Sequence, residues 1–219
     1  MLIQSTMTNI LELQPNTIIA DDYESQLFLS AWVGFQSRQG PYNSKDTDEA
    51  STGLVKCYVS GKEVDYVKIS TAEQVNAIRY LVDHSVKVRD ALFDGLLKQM
   101  PELQDCYADA IPEIKNLGDF KQYIGLANIH VMPADKDGYA YIGYELGCDW
   151  EEEHGIGVMM HKDRVVEFGQ ADTAFNQWIT FDDNGTTEIE TKKWNEVNDQ
   201  AHSTMLIKED KRPWWKFWQ

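Results

Sequence analysis

Residues 140–175 read AYIGYELGCDWEEEHGIGVMMHKDRVVEFGQADTAF, and the periods within this stretch set the expected fold. Tyr139–Leu146 is apolar at both alternating sets of positions, the pattern of a strand covered on two faces and therefore central in its sheet. Ile156–His161 and Arg164–Phe168 flank Lys162-Asp163 and predict a hairpin. Just upstream, Asp137-Gly138 is a strong hairpin-turn signal. Before it Ala127, Ile129 and Val131 alternate with Asn128 and His130, as in a half-buried strand. A β-meander running from about Leu126 to Phe168 follows. Residues 149–153 are expected as an acidic loop within it.

Moving toward the N-terminus, Leu27–Phe35 (LFLSAWVGF) reads as a buried strand and Ser37–Gly53 as a polar surface loop. Leu54–Ile69 reads as a hairpin turning at Ser60-Gly61. The period then changes. Ser70-Thr71-Ala72-Glu73 matches a capping box, with Ser70 as the cap, and Val75, Ile78 and Val82 share one helical face. A second helix follows Ser85, with an apolar arc wide enough to pack on two sides. Gly95 inside it points to a close backbone approach. Pro101 is expected to start a new turn, with short helices over Glu102–Ala110 and Asp119–Ile124. Beyond the meander, Trp178–Phe181, a turn at Asp183-Asn184-Gly185 and Thr187–Ile189 suggest a last small hairpin. Strands, then helices, then strands argue for an α+β fold, an antiparallel sheet packed against a central group of helices. One domain is expected over residues 1–200, followed by a tail at 201–219.

Composition bounds the function. The chain has 219 residues, enough for one domain to bury a core without a disulfide or structural metal. Lys and Arg number 20 against 36 Asp and Glu, a formal charge of −16. Such a surface repels phosphate backbones and anionic lipid, so no nucleic-acid binding is expected, and a basic protein partner is favoured. Cys57, Cys106 and Cys148 are few, odd in number and without a C-x-x-C, as in a reduced, cytoplasmic protein. Met1–Leu13 lacks the basic head and apolar core of a signal peptide, and no stretch is apolar for long enough to span a membrane.

Three segments together resemble one bacterial family: the helix entry Ser70–Leu81, the strand Ile124–Val131 and the stretch at 140–175. The last is similar to a family pattern of C-x-W-[DE]-x-E-H-G-[IL]-G-V, followed by H-K-D-R-V-V and G-x-A-D. The likeness spans about residues 27–178. The family is a domain of unknown function, so the resemblance implies a fold and no activity. Small acidic bacterial proteins of this kind resemble immunity or accessory proteins.

The candidate chemistry lies in the same stretch. Asp149, Glu151, Glu152, Glu153 and His154, with His161 seven residues on and His130 on another strand, are of the types that ligate zinc, iron or manganese. His130 and His161 would face one another if their strands were neighbours. A metal-binding protein or metal-dependent hydrolase using His130, His154 and His161 is therefore one reading, although H-E-x-x-H is absent. The other has Trp150 as a core anchor and the acidic residues in water.

No cofactor motif is present. Gly143, Gly147, Gly155 and Gly157 lack the Lys-Ser/Thr and helix of a phosphate loop, and fit bulges or close strand-on-helix packing better. Calcium loops centred on Gly138 or Gly185 would begin at Pro133 or Thr180 and end at Tyr144 or Thr191, without the required Asp and Glu. Cys148 near His154 is ringed by carboxylates that would raise a thiol pKa, so it is a poor nucleophile. The C-terminal KRPWWKFWQ is net basic and carries Trp214, Trp215 and Trp218, either folded back or as anchors for a partner. The leading expectation is a non-enzymatic, immunity- or accessory-like module that binds a basic protein through Asp149, Glu151, Glu152, Glu153 and His154, with the three tryptophans as anchors.

Overall fold

A computed structural model describes residues 18–19, 24–40, 43–45, 49–60, 62–64, 67–69, 71–107 and 111–208. In chain order the strands and helices are β1 (Ile18–Ile19), β2 (Glu24–Phe28), β3 (Leu54–Val59), β4 (Lys62–Val64), β5 (Val67–Ile69), α1 (Ala72–Asp83) and α2 (Ser85–Tyr107). They continue with β6 (Ile124–Lys136), β7 (Tyr139–Cys148), β8 (Glu151–His161), β9 (Arg164–Gly169), α3 (Gln177–Asn184) and α4 (Thr187–Lys208). Short 3-10 turns lie at Ser30–Trp32, Asp119–Gln122 and Ala171–Phe175. The chain divides within α3 into two compact units, residues 1–180 and 181–219.

The first unit is built on a six-stranded sheet of order β2-β3-β6-β7-β8-β9, an α+β arrangement. The predicted meander is there, with β7 central, and Asp137 and Gly138 both take positive φ, as a tight primed hairpin turn requires. The sheet is mixed, however, because β3 runs parallel to β6. The expected hairpin over 54–69 does not form: β3 belongs to the large sheet, while β4 and β5 join β1 in a separate three-stranded sheet. Ser60 marks the exit. Its N–H donates to Val131 O (3.0 Å) and its carbonyl accepts from Gln74 Nε2 (2.6 Å), tying the strand end to β6 and α1.

Helices α1 and α2 cover one face of the sheet. Ile78, Leu81, Leu92 and Leu96 are buried in one core with Ile129, Ile142, Tyr144 and Val158. Each such side chain contributes about 1.5–3 kcal/mol on leaving water. The capping box forms one residue later than expected: Thr71 Oγ1 accepts from Gln74 N–H (3.3 Å) and Gln74 Oε1 accepts from Thr71 N–H (2.9 Å). Helix α2 packs on two sides, as its wide apolar arc predicts. A Cβ on Gly95 would come within 3.0 Å of Phe168 and Val165 of β9, while Phe93 stacks on Phe35 and Phe120. The helix runs on through Pro101, which is exposed, so water can take the carbonyl left unpaired by its missing N–H.

Two apolar runs depart from expectation. The strand predicted over 27–35 stops at Phe28, and a 3-10 turn then carries Trp32 and Phe35 into the aromatic core. The predicted hairpin after Trp178 is instead α3 and α4. Gly185 has φ +78°, its N–H donates to Asp182 O, and Thr186 N–H donates to Phe181 O. That is a Schellman cap, which uses the same Asn-Gly chemistry as a hairpin turn. The short helix expected over Asp119–Ile124 is the 3-10 turn Asp119–Gln122, and the Asp119 carboxylate accepts from Lys115 and Asn116 N–H ahead of it.

Candidate functional site

The sheet face opposite the helices is held by glycines. Gly125 and Gly147 pair across β6 and β7, and a Cβ on either would collide with Arg38 and with the backbone of Gln36 or Asn43. Part of the 37–53 stretch expected as surface loop therefore lies down on the sheet, with Arg38 only 2% exposed. Gly143 and Gly157 form a second slot. Their Cβ positions would fall 1.6 Å from Ala174 O and 2.3 Å from Gln170 O, so the 3-10 turn Ala171–Phe175 presses directly on the strands.

Arg38 is fixed at both ends. Its aliphatic stem fills the first glycine slot, and its guanidinium donates to Gln36 Oε1 from Nε (2.8 Å) and from an Nη (2.5 Å), and to Asp149 Oδ1. Gln36 Nε2 donates in turn to Asp149 Oδ2 (2.8 Å) and Gln122 O (2.5 Å). The Arg38 guanidinium, the Gln36 amide and the Asp149 carboxylate thus answer one another.

Glu145 rises on the same face. Its carboxylate accepts from Asn43 Nδ2 (2.5 Å), Asn128 Nδ2 (2.9 Å) and His130 Nε2 (2.9 Å). The His130 ring stacks on Tyr58 (5.4 Å) and meets Phe175 at 5.2 Å. Burial pushes the Glu145 carboxyl up, but the hydrogen bonds from His130, Asn43 and Asn128 outweigh it and hold the group below the usual carboxylate range. A carboxyl lowered on folding stabilises the protein above its unfolded pKa, and that contribution is lost as the pH falls through the folded value. Glu145→Gln is therefore expected to lower stability by about 1–3 kcal/mol at pH 7. The gap in urea midpoint between the two proteins should narrow as the pH falls below the ordinary glutamate value of about 4.3.

A family model described as a domain of unknown function, DUF6985, matches residues 24–175. The chain belongs to that family. No curated protein and no solved structure matches the chain. The DUF6985 match begins on the first residue of β2 and ends on Phe175, so it takes in the whole six-stranded sheet and the turn that fills its second glycine slot.

Within the DUF6985 domain the residues singled out in the sequence separate. The expected acidic loop is only the two-residue turn Asp149-Trp150, and Glu151–Glu153 open strand β8. Asp149 is engaged by Arg38 and Gln36. Glu151 accepts from His154 N–H (2.9 Å) and lies 3.2 Å from His154 Nδ1. Glu153 and His154 are exposed; the side chain of Glu152 and residues Trp214, Trp215 and Trp218 lie outside the described part.

His130 and His161 do not face one another, because β7 lies between their strands, and His161 Nε2 meets Lys136 O at 2.8 Å. Among the described residues no group of three or more His, Cys, Asp or Glu could hold a metal ion. Burial pushes the Cys57 and Cys148 thiols up to about 12; at Cys148 it is a larger cause than the nearby Glu151 charge. Among the described residues no helix is long and apolar enough to cross a membrane. Sequence reading missed Glu145, Asn43, Arg38 and Gln36. The one available signal was a charged residue at an alternating position of the otherwise apolar strand 139–146.

Proposed function

We propose that this DUF6985 domain is a non-enzymatic protein-binding module for a basic partner, immunity- or accessory-like, working in a bacterial cytoplasm. The observation that carries the reading is Phe175. It is 50% exposed, yet its ring rests against a His130 held from behind by Glu145. A large aromatic side chain held in place at low entropic cost is the usual make-up of an interface hot spot. Trp178, three residues on, adds a second exposed ring. The formal charge of −16 supports a basic partner, with Glu153 and His154 as the open positions of the acidic stretch. Buried free thiols at Cys57 and Cys148 fit a reducing compartment.

Affinity capture from the native host, followed by binding measurements on the purified partner, tests the reading. Phe175→Ala is expected to weaken binding by about tenfold or more with an unchanged melting temperature. Raising the salt should slow association. Binding by Phe175→Ala and Trp178→Ala at the wild-type level, or failure to retain any partner, would sink the proposal.

A further inference from the structure

Strand β9 is the last of the six-stranded sheet, and among the described residues no strand pairs with its outer edge. Such an edge offers unpaired N–H and C=O groups, and the charges it carries decide which strand can take them. In β9 those charges are Arg164 and Glu167, both exposed. Residues three apart in a regular strand point to opposite faces. Here a bulge changes the count: Val165 pairs with Met160 and Glu167 with Met159, so β9 holds one extra residue. Directly opposed residues share a face. Arg164 therefore lies on the face of its partner His161, and Glu167 on that of Met159. Both of those partners pack on the Tyr141 side of the sheet, so the two charges share one face. Val165 and Phe168 lie on the other, against Gly95 of α2.

Two such edges, antiparallel about a twofold axis through Val165, set Arg164 of each copy opposite Glu167 of the other. The axis stands perpendicular to the sheet and preserves its faces, so the match depends on the bulge. A bulge usually blunts an edge against foreign strands; this one also brings the edge charges into register with their own inverse. The local charge agrees. The whole chain carries 36 acidic against 20 basic residues, yet 162–167 (KDRVVE) holds two of each. A second copy meets less repulsion there than on the rest of the surface. A strand with another spacing of charge leaves Arg164 or Glu167 unmatched. We propose that β9 is a self-pairing edge, through which two copies of this chain join their sheets in a reversible dimer. One strand pair buries little area, so the association is weak and depends on concentration. It uses none of the residues of the Phe175 surface and stands whether or not that surface binds a protein.

Sedimentation equilibrium of the full chain should show monomer and dimer exchanging below about 0.5 mM. Glu167→Arg sets arginine opposite arginine at both pairs, and Arg164→Glu sets glutamate opposite glutamate. Each is expected to weaken self-association by about tenfold or more. Mixing the two variants restores opposite charges at both pairs, and the mixture should associate within about threefold of the wild type. Recovery on mixing also shows that neither variant has lost its fold. Phe175→Ala should leave self-association unchanged, which separates the dimer from the partner surface. Hydrogen exchange needs no substitution: β9 amides should slow as the wild-type chain is concentrated, while those of the opposite edge strand β2 should not. The proposal is overturned by a wild type that stays monomeric to about 0.5 mM. Single reversals without effect, a mixture no better than its components, dissociation by Phe175→Ala, or β9 amides indifferent to concentration would overturn it equally.

Discussion

Gly143→Ala is expected to destabilise the protein by more than about 3 kcal/mol, beyond the usual range for adding one methyl group. A Cβ there would lie 1.6 Å from the carbonyl oxygen of Ala174 and 2.4 Å from its carbonyl carbon. Backbone cannot swing aside as a flexible side chain can. Either strand β7 or the Ala171–Phe175 turn must move, and both are tied into the sheet. The turn is the weaker of the two, so its lifting would also displace Phe175 from His130. Gly138→Ala is the control. Nothing lies within 4 Å of its Cβ position, and only its positive φ opposes the change, at about 1–2 kcal/mol. Thermal or urea unfolding of the two variants should separate them clearly; equal losses would mean the slot is not as tight as its geometry states.

Arg38→Ala should be nearly as damaging, at about 2–4 kcal/mol. Three terms add. The stem lying in the Gly125–Gly147 slot is lost, leaving a void with no side chain from either strand to fill it. Gln36 Oε1 loses its two donors in a buried position. Among the described residues, Asp149 keeps Gln36 and a distant Lys45 at 3.9 Å. Asp149 is one-third exposed, so water answers part of its charge, and the pair is worth less than a fully enclosed one. Arg38→Met separates the terms, because it keeps the stem and removes the donors. Asp149→Asn should cost less than either change at Arg38. Urea midpoints of the single variants and of the Arg38→Met/Asp149→Asn double variant give the coupling directly.

The sequence made the meander legible because β6 to β9 are joined by short turns, and both their periods and their turn residues are local signals. It made the first sheet neighbours illegible. Nothing in Leu54–Val59 states that its partner is Asn128–Val131, because a parallel pairing leaves no turn to read. Asn184-Gly185 shows the limit of local chemistry, since positive φ serves a hairpin and a helix cap alike. At the candidate site, Trp150 was correctly placed in the core, but the close packing at Gly143, Gly147 and Gly157 is against the 37–53 stretch and the Ala171–Phe175 turn rather than the helices expected. Arg38 was lost in a polar stretch because its burial depends on two glycines far along the chain, Gly125 and Gly147. Glu145 was lost because its three donors come from two other segments, Asn43 far upstream and Asn128 and His130 on β6.

The parallel pairing of β3 with β6 also orders events in time. As the chain leaves the ribosome, β2 and β3 can pair as soon as both have emerged, but one edge of β3 stays bare until residue 131 has been made. The β6–β9 strands need no such wait, since each finds its neighbour across a short connection. Contacts of low sequence separation form first, and closing the long β3–β6 loop comes late. Pulse-labelling hydrogen exchange during refolding should find amides of β6, β7 and β8 protected before those of β3; the reverse order would refute this. Until that closure, β3 is an open template for another chain, and crowded synthesis rather than the finished molecule is where this protein is most exposed to aggregation.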